Sequence, residues 1–237
     1  MLIRNRKTMN IGLLLGISFF GVLAFIFSPV FGEGRNGLEY SDALFNKLAK
    51  GSSYFVPELT AGLKEAEGEQ LTVSVKMENA EQAARAAKIF ATATPDSTSK
   101  GVELRIKGNL AKLLGAVLAD SKLMYFNKGS EVSEKYGMNE KEVMITWWAA
   151  LNRVVKELQK VKNTRQSNMI LEVVRKGIEP AYNFYKIEPQ KIGEKALTAG
   201  GLLVFYVLYT MWWGFAIFYM FDGLGLAMKK ARVKQEI

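Results

Sequence analysis

The chain has 237 residues, of which 49% are hydrophobic, and it carries a formal net charge of +9. It contains neither cysteine nor histidine. Without cysteine it cannot form a disulfide, a thiolate zinc site or an iron–sulfur cluster. Without histidine it lacks the commonest metal ligand and general base, which excludes a serine–histidine–aspartate mechanism within this chain. We therefore predict no catalytic residue, no cofactor and no metal site.

The first long apolar segment covers residues 10–31 and contains no charged residue. About 20 apolar residues are enough to cross a hydrocarbon core roughly 30 Å thick. We predict a transmembrane helix over residues 9–31, preceded by a basic cytoplasmic segment, residues 1–8. The alternative is a cleaved signal peptide. The apolar region of a signal peptide usually spans about 7–15 residues and ends in a small-x-small cleavage site. The apolar segment of this chain is longer, and residues 28–32 lack such a site.

Gly12 and Gly16 form a GxxxG pair within the first apolar segment. Small residues at this spacing allow two membrane helices to approach closely. Glycine is also simply common in membrane helices, so the pair has a second interpretation without a specific contact. Both glycines are candidate helix-packing positions.

Residues 32–196 are polar and mixed in charge, and they are predicted to form one α+β domain. Short helices are predicted at its start, over residues 37–50 and 57–66. Apolar residues at helical spacing predict two further helices at its end, over residues 139–161 and 168–180. These two helices are expected to form an antiparallel hairpin that leads the chain out of the domain.

The middle of this domain contains two predicted strands. Apolar and polar residues alternate over residues 71–77 and again over 102–107, which is typical of half-buried strands. A helix over residues 78–92 follows the first strand, with Asn79 as a candidate cap, and Asn109 is a candidate cap for a helix after the second. The turn-forming residues 94–101 are predicted to be a loop. This order indicates a small sheet with helices on one face.

Two adjacent tryptophans, Trp147 and Trp148, lie in the first helix of the predicted hairpin. Large aromatic side chains at helical spacing usually belong to the core, so burial of both is the first interpretation. A binding platform is the alternative.

The second long apolar segment, residues 197–221, contains nine aromatic residues. We predict a second transmembrane helix over residues 197–222. Tyr206, Tyr209 and Trp213 lie close to one face of that helix. Hydroxyl and indole donors near the middle of a bilayer need hydrogen-bond partners, which lipid tails cannot supply. We therefore interpret these three residues as a surface packed against partner helices. A wall of a quinone or lipid cleft and a bulky lipid-facing helix are the alternatives.

Asp222 ends the second apolar segment and is followed by a basic tail, residues 223–237. If the helix continues to Lys230, Asp222 lies inside or at the edge of the inner leaflet, where a charge is costly and usually functional. If the span ends at Asp222, the residues that follow form an interfacial segment. The second interpretation is preferred.

The excess positive charge lies mostly beside the two apolar segments. Basic residues flank both of them on the terminal sides: Arg4, Arg6, Lys7, Lys229, Lys230, Arg232 and Lys234. By the positive-inside rule both termini are cytoplasmic and residues 32–196 are periplasmic or extracellular. This distribution favours contact with anionic lipid headgroups over nucleic acid.

The predicted fold class is a membrane protein with two transmembrane α-helices flanking an α+β extracytoplasmic domain, built from a small sheet and a helical hairpin.

Three classes of function are compatible with this organisation. The preferred one is a noncatalytic accessory or scaffold subunit of a multi-subunit bacterial inner-membrane complex, respiratory or transport, whose partners are membrane lipids and other membrane-protein subunits. The alternative is a membrane-anchored periplasmic sensor or ligand-binding protein, although the tail after Lys230 is too short for a signalling module. A serine–lysine hydrolase is the third, but no serine–lysine pair stands out.

Overall fold

The computed structural model describes residues 3–226. Most of the predicted basic tail, from residue 227 onward, lies outside these residues, as do Met1 and Leu2. Within residues 3–226 there are ten α-helices and three β-strands. In chain order they are α1 (Arg6–Ile26), α2 (Gly37–Gly51), α3 (Val56–Gly62), β1 (Gln70–Lys76), α4 (Ala80–Ala91), β2 (Thr98–Lys100), β3 (Glu103–Asn109), α5 (Leu110–Tyr125), α6 (Gly129–Tyr136), α7 (Glu140–Lys160), α8 (Thr164–Val173), α9 (Glu179–Asn183) and α10 (Ile192–Gly223).

The chain divides into two compact units. The terminal unit contains both end segments of the chain, up to Phe45 and from Lys191 onward. The central unit is Asn46–Gln190. The protein is mostly helical with one small antiparallel sheet, and the fold class expected from the sequence is confirmed to that extent.

Helices α1 and α10 are both long and apolar enough to cross a membrane. Helix α1 is capped by Asn5, whose side chain accepts the N–H groups of Lys7 and Thr8. It ends at Ile26, five residues before the predicted end of the span, because the residue preceding Pro29 is disfavoured in helical conformation. Helix α10 begins five residues earlier than predicted, since an α-helix readily accepts charged residues in its first turns.

The sheet of the central unit has the strand order β1-β3-β2. The two predicted strands pair antiparallel, with Val73 opposite Ile106. Strand β2 lies inside the segment predicted to be a loop, so that prediction is wrong for residues 98–100. All three residues of β2 are exposed, and the strand therefore has no alternation of apolar and polar residues from which to recognise it. Gly101, with φ of +58°, makes the turn into β3.

The helix after β1 begins two residues later than predicted, and the helix after β3 begins directly after its predicted cap. Asn79 accepts the backbone N–H of Gln82 at the start of α4, and Asn109 accepts that of Lys112 at the start of α5. Helix α5 contributes a continuous apolar face to the core: Leu110, Leu113, Leu114, Val117 and Leu118. Side-chain capping and apolar periodicity together fix both helices in the order expected.

The C-terminal half of the central unit contains more separate helices than the sequence predicts. Helix α6 was not predicted, and the second helix of the expected hairpin begins at Thr164, capped by Asn163. After α8 the helix widens into a π-helical turn, Val174–Ile178, before α9.

Trp147 is fully buried as expected, whereas the predicted burial of Trp148 is wrong, since this residue is 45% exposed. Neighbouring helical residues point about 100° apart, and the surface of α7 that is covered by other helices includes Trp147 but not Trp148.

Asp120 is a buried carboxylate that joins three helices. Its Oδ1 accepts a hydrogen bond from Lys135 Nζ on α6 at 2.8 Å. Its Oδ2 accepts from Tyr136 Oη at 2.6 Å and from Trp147 Nε1 on α7 at 3.0 Å. Burial, followed by the hydrogen bond to Asp120, raises the pKa of Tyr136. The carboxylate therefore fixes α6 and α7 against α5.

Lys50 is buried at the end of α2. Its Nζ donates to Asn127 Oδ1 and to the carbonyl of Phe184 at 3.0 Å each, and to the carbonyl of Ile187 at 2.5 Å. Burial lowers the pKa of Lys50, an effect that the negative charge of Glu188 opposes. This ammonium group links the first helix of the central unit to its last segment, so the two ends of the unit are held together.

Candidate functional site

The ends of α1 and α10 meet in an antiparallel arrangement. The backbone N–H groups of Arg4 and Asn5 donate to the Gly223 carbonyl, with N···O distances of 2.9 and 3.0 Å. A Cβ atom on Gly223 would lie 2.7 Å from the Cα of Met9. The start of α1 therefore lies directly beside the end of α10, and the two helices form a closed hairpin.

Asp222 lies in the last turn of α10 and is exposed. The helix ends at Gly223, and Gly225 then takes a φ of +78°, which breaks the helical path. The interpretation in which the helix continues to Lys230 is therefore wrong. Asp222 makes no ion pair with any residue of the described chain. The negative charge of Asp222 lies at the end of α10.

The two glycines of the GxxxG pair have different surroundings. A Cβ atom on Gly12 would lie 2.6 Å from the backbone nitrogen of Met220 and 3.0 Å from the carbonyl oxygen of Ala216. Gly16 is also buried, but apart from the neighbouring residues and backbone of α1 itself, a Cβ atom there would meet no atom of the described chain within 4 Å. The close approach of α1 to α10 therefore depends on Gly12, while there is room for a methyl group at Gly16.

The aromatic face of α10 is partly covered by α1. The ring of Phe19 stacks on Tyr209, with centroids 4.2 Å apart and planes 11° apart, and lies 4.8 Å from the ring of Trp213. Tyr209 Oη donates to the Phe19 carbonyl at 3.0 Å, and Trp212 Nε1 donates to the Leu15 carbonyl at 3.1 Å. A helix carbonyl can accept such a second hydrogen bond because it has two lone pairs. Tyr209 and Trp212 thus find their hydrogen-bond partners within this chain, whereas the side chains of Tyr206 and Trp213 have no hydrogen bond to another residue of the described chain.

Phe19 and its carbonyl were not identified from the sequence. Phe19 stands seven residues after Gly12 and three after Gly16, so the three lie on one face of α1. That spacing is the signal from which the aromatic contact could have been found. It identifies the face of α1 that meets α10.

Tyr206 lies on the same face of α10 but is 65% exposed. It lines an open apolar cleft of about 850 Å³ within the terminal unit. The walls of this hairpin cleft come from α1, from the turn after it, from the first half of α2 and from α10. Its larger side chains include Phe19, Phe31, Tyr40, Phe45, Tyr206 and Trp213.

The outward surface of the hairpin is apolar along both helices. On α1 the exposed side chains include Leu13, Leu14, Ile17, Phe20 and Phe25, and on α10 they include Leu203, Val204, Val207, Leu208, Met211, Phe215 and Phe218. Water-exposed surfaces of monomeric proteins rarely carry a continuous apolar patch of this extent. An outward surface of this kind is typical of helices that face an apolar medium or apolar partners.

A second, smaller groove lies on the central unit, between α7 and the segment after the π-helical turn. Its volume is about 380 Å³, and its lining includes Ile145, Trp148, Ile178 and Tyr182. Trp148 Nε1 donates to Glu179 Oε1 at 3.0 Å, which fixes the exposed indole ring in the groove wall. An ordered, half-exposed tryptophan of this kind is typical of contact surfaces.

Within residues 3–226, no group of three or more aspartate and glutamate side chains is placed to hold a metal ion. Comparison of the chain with protein-family models, with curated proteins and with solved structures gives no match.

Proposed function

We propose that this chain is a noncatalytic accessory or scaffold subunit of a multi-subunit complex in a bacterial inner membrane, respiratory or transport, and that α1 and α10 cross the bilayer. The observation that carries the proposal is the hairpin itself. Its outward surface is apolar, while Tyr209 and Trp212 donate to carbonyls of α1. Internal hydrogen bonds for these two donors, together with apolar side chains outside, suit a hydrocarbon environment.

The proposed topology places both ends of the hairpin in the cytoplasm and the central unit in the periplasm. Its support is the antiparallel contact of Arg4 and Asn5 with Gly223, which puts the two ends of the hairpin together. Arg4, Arg6 and Lys7 supply positive charge at that end, and such charge is retained on the cytoplasmic side. Asp222 then lies near the inner headgroups, where water and lipid cations are accessible.

Partner binding is proposed at the surfaces that the chain leaves exposed. These are the apolar outer surface of the hairpin and the groove around Trp148 on the central unit. The absence of histidine and cysteine from the sequence removes the residue types most used in metal and acid–base chemistry. A structural role in an assembly accounts for these features together.

Single cysteines test the proposed topology, and the natural absence of cysteine makes each introduced thiol unique. In intact cells, a membrane-impermeant maleimide is expected to label Ser99→Cys, in the exposed strand β2, and to label Thr8→Cys only after the inner membrane is opened. Labelling of both positions in intact cells, or of neither before lysis, would contradict the topology.

Purification from native membranes in mild detergent tests the accessory role. The chain is expected to copurify with other membrane proteins at fixed stoichiometry. Trp148→Ala should weaken that association about thirtyfold, since a half-exposed anchoring tryptophan can contribute about 2 kcal/mol to an interface. Val161→Ala is the matched control, because Val161 is also an exposed apolar residue but lies outside the groove.

A membrane-anchored sensor or ligand-binding protein is the second candidate. The groove around Trp148 favours it, since its volume of about 380 Å³ would accommodate a small molecule. The purification separates the two candidates. A monodisperse chain without stoichiometric partners would reject the accessory role and favour the ligand-binding protein.

A further inference from the structure

The hairpin cleft is wide enough for a hydrocarbon chain and offers little to water. Its volume is about 850 Å³ and its walls are almost wholly apolar side chains and aromatic rings. Water occupies a cavity only where several polar groups can bind it. An empty apolar space of this size is unfavourable because the atoms that line it lose dispersion contacts. In a bilayer, the occupant that fits this lining is an acyl chain.

Two lysines lie near the start of α10, beyond the cleft. Lys191 is the residue that caps the helix, and Lys195 lies in its first turn. The residues on the face of Lys195 follow at spacings of seven, four, three and four: Lys195, Leu202, Tyr206, Tyr209 and Trp213. The last four of them line the cleft. Lys195 precedes Leu202 by seven residues, which places its Cα about 10 Å further along the helix axis. The face is therefore cationic at its end and apolar along the cleft.

The positive charge of this face is not neutralised by neighbouring acidic side chains. Neither Lys191 nor Lys195 has an ion pair or side-chain hydrogen bond with another residue of the described chain. Glu194 lies about 100° around the helix axis from Lys195, so the two side chains extend from different faces of α10. Across the cleft, the carboxylate of Glu39 accepts the backbone N–H of Asn36 at the start of α2, at 3.0 Å. The unpaired amines are complementary to a phosphate group.

We infer that the hairpin cleft binds one anionic phospholipid of the outer leaflet, with an acyl chain between α1, α2 and α10 and the phosphate at Lys191 and Lys195. This inference rests on the proposed insertion of the hairpin in a bilayer. It assigns the exposed aromatic ring of Tyr206 to a lipid contact, and it gives the chain a preference for phosphatidylglycerol-type over zwitterionic lipids.

The test uses the full chain reconstituted in mixed vesicles, with tryptophan fluorescence quenched by brominated acyl chains. Trp213 lines the cleft and Trp212 is its neighbour. At equal mole fraction, brominated phosphatidylglycerol is expected to quench more strongly than brominated phosphatidylcholine. Lys191→Gln and Lys195→Gln should each reduce this preference about fivefold, since one lysine near an anionic surface contributes roughly that factor. Equal quenching of the unaltered protein by both lipids overturns the inference.

Two further variants separate the cleft from general charge attraction. Lys100→Gln combined with Lys107→Gln removes two charges from exposed positions of β2 and β3, twice the charge removed by either Lys191→Gln or Lys195→Gln, and should leave the preference unchanged. Thr210→Phe adds a ring in the cleft wall, keeps both lysines of α10, and should abolish the preference. Retention of the preference in Thr210→Phe would refute binding in the cleft. Absence of quenching by either lipid would instead refute membrane insertion, on which the proposed function depends.

Discussion

Replacing Gly12 with alanine is expected to lower the free energy of unfolding of the α1–α10 hairpin by about 1–3 kcal/mol. The new Cβ atom would lie 2.6 Å from the backbone nitrogen of Met220, a distance at which the two helices must move apart. Backbone atoms cannot rotate away as the end of a side chain can, so the whole contact loosens. Titration of the micelle-bound protein with sodium dodecyl sulfate, followed by circular dichroism, measures this loss.

Gly16→Ala is the matched control for Gly12→Ala. It makes the same chemical change one helical turn away, where no described atom beyond the adjoining residues and backbone of α1 lies within 4 Å of the new methyl group. The free energy of unfolding should therefore stay unchanged or rise by up to about 1 kcal/mol, because alanine favours the helix over glycine. Equal destabilisation by the two substitutions would show that the close contact at Gly12 does not control the hairpin.

Replacing Asp120 with alanine is expected to destabilise the central unit by about 3–5 kcal/mol. The substitution leaves the hydroxyl of Tyr136 and the indole N–H of Trp147 buried without an acceptor. Lys135 contributes less to this loss, since its side chain is 38% exposed and can return to water. Urea unfolding of the full chain in detergent, followed by the near-ultraviolet signal of the buried tryptophan, measures the change.

Asp120→Asn and Asp96→Ala complete this experiment. Asparagine keeps one oxygen acceptor but not the charge, so its effect should fall between those of the native residue and alanine. Asp96 is exposed, and its replacement should change the free energy of unfolding by no more than about 0.5 kcal/mol. A loss below about 1 kcal/mol for Asp120→Ala would mean that the three donors find other partners.

Local signals in the sequence account for much of the secondary structure. The alternation around Val73 and the asparagine caps at residues 79 and 109 predicted strands and helices that the structure contains. These features act over a few residues, so a single sequence carries them. Strand β2 has three exposed polar residues and forms only because β3 lies beside it, a long-range effect that no local pattern reveals.

The candidate site was less predictable than the fold. The sequence indicated an aromatic face on α10 and donors that need partners, and both are present. It could not show that the partner of Tyr209 is Phe19, 190 residues earlier in the chain, because hydropathy does not record which surfaces meet. Trp148 was misjudged for a related reason: helical spacing gives a direction for each side chain, but the width of the buried face depends on the helices that cover it.

The carbonyl oxygen of Gly223 joins the start of α1 to the end of α10, the two helices that we propose cross the membrane. It accepts hydrogen bonds from the backbone N–H groups of both Arg4 and Asn5, so the start of α1 and the last turn of α10 cannot fray separately. The positive end of one helix dipole also meets the negative end of the other, which reduces the field that either would present alone. Loosening of the start of α1, by a fused sequence or by a protease, should therefore also loosen the end of α10.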